Sequence, residues 1–212
     1  MKKLLFTIIS IVLCFGMYAQ TVTGSGNIIT KNYPVTGFNE LDISVAADVI
    51  FTQSDNFDVK ITTDDNLFDY IAVKIKDDEL TICRKAGKSE TKISIGEKDF
   101  TINKHNLGKI KPTQLVIKIS APDLEDINFI SSGTFNFNND FTGNELNMEV
   151  VSSGKITSSN SISVKKLEIE LSGSGKIDLK KAKINELEIG LAGSGNVLLS
   201  GTFGEADIEI AG

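Results

Sequence analysis

The chain has 212 residues with 22 basic and 28 acidic side chains, a formal net charge of −6, one histidine and two cysteines. An acidic chain of this kind is poorly suited to nucleic acid or to anionic membrane surfaces. With His105 as its one histidine, it also lacks the ligands for a His/Cys metal centre.

The first stretch, MKKLLFTIISIVLCFGMYAQ, has two lysines, an apolar run from Leu4 to Phe15 and small or polar residues around Ala19-Gln20. That pattern predicts a secretory signal peptide over residues 1–19, with an apolar run too short to span a bilayer. Cys14 follows the bulky Leu13, which argues against lipid attachment. Removing residues 1–19 takes away Lys2 and Lys3 and no acid, so residues 20–212 carry −8. They keep one cysteine, Cys83, read as a partly exposed strand residue, so no intrachain disulfide forms and the fold rests on packing. The remaining chain is expected to be one all-β domain with no transmembrane segment.

Residues 20–83 read as irregular strands. LDISVAADVIF (41–51) has the rhythm of a repeat unit, with Ala46-Ala47 where later units carry glycine. FDVKITT, IAVKIKD and ELTICRK add strands with Val59, Ile61, Val73, Ile75, Leu80 and Ile82 on their apolar faces. DDNLFDYI (64–71) predicts a short helical turn capped by Asp64 or Asp65. Residues 84–114 are lysine-rich and break the rhythm. They read as an excursion holding a hairpin of TKISIG with DFTINK, a solvated loop in preference to a docking patch.

Residues 115–212 align with themselves. Gly133, Gly154, Gly175 and Gly195 are spaced 21, 21 and 20 residues apart, and Leu124, Leu146, Leu167 and Leu187 precede them. A fixed period near twenty is the mark of a solenoid, in which each coil covers the apolar face of the next. Within KLEIELSGSGKIDL, Leu167, Ile169 and Leu171 alternate with Glu168, Glu170 and Ser172, a period of two that belongs to strands. Two or three short strands per coil, joined by tight corners, give a parallel β-solenoid. Ala206–Gly212 lines up with Leu187–Gly193, so the pattern is still running at the end of the sequence; a truncated chain lacking further coils or a cap is the expectation.

The Gly-Ser-Gly triplets at 24–26, 173–175 and 193–195 do not read as nucleotide loops. A dinucleotide fingerprint needs a third glycine where Ile29, Asp178 and Leu198 stand, and Gly175-Lys176 is followed by Ile177 where a phosphate loop needs Ser or Thr. The triplets are corners, at which glycine supplies a positive φ or a close approach, and their serines are expected to bond along the stack. Asp178 has no acidic counterpart at Thr157 or Leu198, which rules against calcium-binding nonapeptide repeats.

For catalysis the candidate acids are Asp64, Asp65, Asp77, Asp78 and Glu79, but each falls in a turn, where solvated carboxylates are ordinary. Arg84 is the chain's one arginine, a thin supply for acidic sugars. Trp is absent, and Phe135 and Phe137 in TFNFNNDF read as core with Asn136 and Asn138 outside. No catalytic, cofactor or metal residue is assigned.

Gly24-Ser25-Gly26-Asn27, Gly37-Phe38 before LDISV, Asp48-Val49 leading IFTQ, Asp65-Asn66-Leu67 and Tyr70-Ile71, with the later SGSGKI and AGSGNV, resemble the putative auto-transporter adhesin, head GIN domain family. The resemblance implies an exported right-handed parallel β-helix, shaped like pectin lyases but without their catalytic residues, with a proposed role in cell adhesion. Ala46-Ala47 and residues 84–114 depart from the family pattern. The reading is therefore an exported non-enzymatic surface-binding protein, in the periplasm, on the cell surface or outside the cell, with a glycan or protein partner and no cofactor. The alternatives are a polysaccharide lyase or hydrolase on the same scaffold and a purely structural envelope module.

Overall fold

The computed structural model describes residues 21–85, 87–95, 98–106 and 109–211. The expected signal peptide, 1–19, lies outside the described residues. The strands run β1 (Thr21–Thr23), β2 (Ile28–Tyr33), β3 (Glu40–Ser44), β4 (Asp48–Gln53), β5 (Asp58–Asp64), β6 (Ile71–Lys76) and β7 (Glu79–Arg84), with a 3-10 turn (Asp65–Tyr70) before β6. Then come β8 (Gly87–Ile95), β9 (Lys98–Asn106), β10 (Lys109–Lys111), β11 (Leu115–Ala121), β12 (Asp126–Ile130) and β13 (Thr134–Phe137). The last four are long: β14 (Phe141–Ser152), β15 (Lys155–Gly173), β16 (Lys176–Gly193) and β17 (Asn196–Ala211).

The fold is all-β, as the alternation predicts. One thirteen-stranded sheet in the order β2-β5-β11-β4-β13-β15-β14-β12-β3-β7-β6, extended from β15 by β16 and β17, curls nearly closed in a barrel-like form around one apolar core. Parallel pairing dominates from β3 and β4 onward, but β2–β5, β5–β11 and β6–β7 are antiparallel, so a parallel solenoid does not describe the whole sheet. At this antiparallel end Leu67 and Phe68 of the 3-10 turn are buried, and Lys31 Nζ lies 4.3 Å from the Phe68 ring centroid.

From residue 126 the ladders follow the repeat. Leu146 pairs with Leu167, Leu167 with Leu187, and Leu187 with Ala206, so the same apolar position recurs in each pass of the chain. The expected short strands are instead single long ones, because the backbone ladder continues through bends. Between Ser158 and Ser161 the register of β15 on β16 slips by one, from Ser158↔Leu179 to Ser161↔Lys181. This bulge is where the repeat shortens from 21 residues to 20. Asn160 holds it, donating from its side chain to the Phe137 carbonyl at 3.1 Å and from its backbone N–H to the Ser158 hydroxyl at 3.1 Å.

The corners divide the two glycine roles. Gly173 and Gly193 adopt φ of +115° and +113°, whereas Gly175 and Gly195 are there for close approach: a Cβ on Gly175 would stand 2.7 Å from the Gly154 carbonyl oxygen. Along the stack it is the serine backbone N–H that bonds, Ser174 to the Ser152 carbonyl at 2.8 Å and Ser194 to the Gly173 carbonyl at 2.9 Å.

The 41–51 segment does behave as a repeat unit, but its neighbour is not the next segment in sequence. β3 pairs with β12 and β4 with β13, an offset of 86 residues that skips everything between. Gly133 packs directly on Ala47, where an added Cβ would meet the Ala47 oxygen at 2.0 Å. On the other side β7 lies against β3 and β11 against β4. Together β7 and β11 form one further pass, split by residues 85–114 in the place that Val45–Ala47 occupies between β3 and β4. Within that insertion β8 and β9 pair antiparallel, Ile93 opposite Phe100, in a separate two-stranded sheet.

The core is continuous. Phe135 and Phe137 are buried as expected, with Phe137 ring centroids 5.7 Å from Phe51, 5.3 Å from Phe135 and 5.5 Å from Phe141. Val59, Ile61, Leu80 and Ile82 are fully buried and Val73 is partly so. Ile75 departs from expectation: it is 37% exposed, because β6 is the last strand of the sheet and has no neighbour to cover it there.

Candidate functional site

The five acids singled out from sequence do not meet in one place. Asp64 is buried, contrary to the solvated turn expected for it, and its position before the 3-10 turn is not used for side-chain capping. Its carboxylate instead accepts from the Gly26 N–H at 2.7 Å, the Thr113 N–H at 2.8 Å and the Thr113 hydroxyl at 2.9 Å. Burial pushes this carboxyl up, but the hydrogen bonds from Thr113 and Gly26 outweigh burial and hold it below the usual range. Asp65 accepts from the Ser25 hydroxyl at 2.5 Å and the Asn27 side chain at 2.8 Å, and these two bonds lower it. The first Gly-Ser-Gly is thus no repeat corner. It is one jaw of a clasp that joins residues 24–27, 64–66 and 111–113, and a Cβ on Gly24 would fall 2.2 Å from the Asp64 carboxyl carbon.

Asp77 and Asp78 make the β6–β7 turn at φ of 51° and 67°, left-handed conformations that aspartate tolerates. Glu79 begins β7. Cys83 is half-buried, as its strand position predicts. Among the described residues no group of three or more His, Cys, Asp and Glu is arranged to hold a metal, and no helix is long and apolar enough to cross a membrane.

What sequence reasoning did not find is a column of carboxylates on the outer surface. Parallel in-register pairing sets Glu79, Glu40, Asp126, Asn147, Glu168, Glu188 and Asp207 side by side. Two residues further along each strand a second column follows: Asp42, Asn128, Glu149, Glu170, Gly190 and Glu209. Neighbouring strands lie ~4.8 Å apart, so the acids of a column are in contact range. The signal was in the sequence: Glu168-Ile-Glu170 recurs as Glu188-Ile-Gly190 and Asp207-Ile-Glu209, and parallel pairing of like repeat positions stacks those acids.

The electrostatics agree with this geometry. Burial, and then the charges of Asp126 and Glu79, raise Glu40 above its ordinary value; burial and then Glu79 raise Asp42. Among the described residues a cation enters at one point. Lys166 Nζ stands 3.2 Å from Glu188, 3.4 Å from Glu168 and 4.0 Å from Glu145, and its own proton affinity is raised by the bonds to Glu188 and Glu168. Elsewhere neutral donors meet the acids, the Asn147 side-chain amide donating to Asp126 at 2.9 Å and the Thr81 hydroxyl to Glu79 at 2.8 Å, and two acceptors, Asp42 Oδ1 and Asn147 Oδ1, are buried without a partner. Two shallow, open concavities of about 200 Å³ and 190 Å³ lie between the columns, the first lined by Glu168, Glu170, Glu188, Asp207 and Glu209.

In solved structures the chain is similar to a putative adhesin from Parabacteroides distasonis ATCC 8503, at a TM-score of 0.73 and 24% identity over 90% of this chain and 73% of that one. A putative lipid binding protein from the same organism matches at 0.72 and 23% identity, over 90% and 81%. A putative adhesin from Parabacteroides merdae ATCC 43184 matches at 0.71 and 22% identity, over 91% and 81%. No curated protein matches. A family model matches twice, over residues 37–159 and 147–212, which together take in most of the described strands. By that match the chain belongs to the family described as putative auto-transporter adhesin, head GIN domain.

Proposed function

We propose that this is an exported, non-enzymatic binding protein of the cell surface or periplasm, whose regular part is a right-handed parallel β-solenoid that displays its carboxylate columns to a partner. The single observation that carries this reading is the acidic face itself: ten carboxylates fall in two straight columns on β3, β7, β12 and β14 to β17. Such a ladder is costly to a fold that uses it for nothing, since like charges directly opposite are destabilising. A flat, rigid, charged surface with only shallow hollows suits recognition of another surface better than enclosure of a small substrate. The chemistry favours a partner bearing amines or guanidinium groups and disfavours acidic glycans. Family membership and the adhesin names of the structural neighbours support the adhesive reading.

Two experiments test it. Immobilised protein should retain basic proteins, and replacing Glu168, Glu170, Glu188 and Glu209 by glutamine should abolish retention while leaving the β circular dichroism spectrum intact. Equal retention by that variant overturns the reading. Incubation with neutral and acidic polysaccharides should yield no new reducing or unsaturated ends; ends that disappear in Asp77→Ala/Asp78→Ala would make the protein a carbohydrate-active enzyme instead.

A further inference from the structure

Eight of the basic residues of this chain fall in one short segment. Between residues 84 and 114 stand Arg84 and seven lysines against Glu90, Glu97 and Asp99, so the segment carries +5 and the rest of residues 20–212 carries −13. That segment is the insertion in the split pass of β7 and β11, and among the described residues its β8–β9 ribbon pairs within itself as a separate sheet. We propose that the carboxylate columns of one molecule receive the lysine-rich segment 84–114 of a second copy, so that the protein associates with itself face to insertion.

Three observations support this. The face carries ten carboxylates in two columns, whose charge a lysine-bearing partner offsets. Lys166 shows that the spacing between strands accepts an ammonium, held by Glu188, Glu168 and Glu145 together. The insertion is also anchored away from the hollow lined by Glu168, Glu188 and Asp207. Its first residue beyond β7, Lys85, donates its N–H to the Tyr70 carbonyl at 2.9 Å, and its return limb pairs β10 with β1 and reaches the Asp64 clasp through Thr113. Both attachments are at the antiparallel end of the sheet, whereas Glu168, Glu188 and Asp207 lie four to six strands from β7, about 20–30 Å along the ladder. A second molecule reaches that hollow from any side. Charge pairing of this sort steers encounter and weakens steeply with salt.

The inference rests on the binding reading of the acidic face, and its test separates the two. Light scattering or sedimentation velocity on the chain from Gln20 onward should show concentration-dependent association in about 0.02 M salt, with a dissociation constant at least about tenfold larger in about 0.5 M salt. Lys88→Glu/Lys92→Glu/Lys98→Glu/Lys104→Glu alone, and Glu168→Lys/Glu170→Lys/Glu188→Lys alone, should each be monomeric, and mixing the two should restore a complex. A chain that stays monomeric at every salt, a compaction that does not depend on concentration, or association untouched by the lysine reversals overturns the proposal. Retention of basic proteins by a strictly monomeric chain would sink self-association and leave the binding reading standing; self-association without such retention would do the reverse.

Discussion

Ser152, Gly173 and Gly193 hold the same position in three successive passes, and the ladder pairs them in register. All three have left-handed backbones, with φ of 85°, +115° and +113°. A side chain in that conformation costs ~1–2 kcal/mol, and a glycine costs ~0.5–1 kcal/mol in the entropy it gains on unfolding. Ser152→Gly should therefore stabilise the protein by about 0.5–1 kcal/mol. The reverse change one pass later has the opposite sign and is larger. Gly173→Ser incurs the same strain, and its Cβ would stand 2.5 Å from the Ser152 carbonyl oxygen, so two ladder-bonded backbones must part. Adding an overpacking cost of ~1–3 kcal/mol and subtracting the glycine entropy leaves a loss of about 1.5–4 kcal/mol. Urea unfolding followed by circular dichroism measures both variants. Changes of the same sign, or a Ser152→Gly protein less stable than the parent, would refute the assignment of separate roles to the two corner glycines.

Gly175→Ala should also destabilise, by ~1–3 kcal/mol in the same assay, even though its φ is ordinary, because the new methyl meets the Gly154 oxygen and Leu171. Phe137→Ala removes a ring packed on three others and should cost ~3–5 kcal/mol; a loss under about 1 kcal/mol would show that the aromatic cluster is not a continuous core. Asp64 has a lowered carboxyl, so its contribution is complete above the ordinary value of 3.8 and is lost as pH falls through the folded value. The melting temperature of Asp64→Ala should therefore lie well below that of the parent at neutral pH, with the gap narrowing in strong acid; a gap constant down to the most acidic pH would contradict the clasp. Glu40 is shifted the other way. The native state holds its proton more readily than the unfolded chain, so stability declines as pH rises through the raised value, and Glu40→Gln should melt higher than the parent at pH 7 but not below about pH 4.5. An unchanged neutral melting temperature would mean that the column exerts no strain.

The repeat and its alternation made the regular half legible. Leu146, Leu167 and Leu187 stack as their spacing implies, and the one-residue shortfall in the glycine period appears in space as the bulge at Ser158–Ser161. The split pass was not legible, because β7 and β11 are separated by thirty residues and each alone resembles any amphipathic strand. The clasp was hidden for a different reason. Gly24-Ser25-Gly26 looks identical to the corner triplets, and only the approach of Asp64 and Thr113, distant in sequence, gives it another role. Asp64 likewise reads as a helix cap from its neighbours, yet three donors from elsewhere take its oxygens first. Local patterns identify elements here; long-range donors decide what the polar residues do.

The acidic face follows from the same physics that makes the fold easy to recognise. In a parallel ladder that holds the repeats in register between its bulges, each paired residue lies beside its own counterpart in the next pass. Repeating Leu-Glu-Ile-Glu therefore stacks apolar residues inward, where contact stabilises, and carboxylates outward, where it does not. A chain selected for stability alone would place cations among the acids of each column, as the neighbouring column does with Lys166 between Glu145 and Glu186. That contrast is the argument for function. The two acidic columns carry no cation of their own and lie beside one that holds Lys166, so the repeat permits a cation at such a position and the acidic columns depart from it. Countercharge for them can come from outside the ladder, and the +5 segment that splits the β7–β11 pass is one concentration of cations able to supply it.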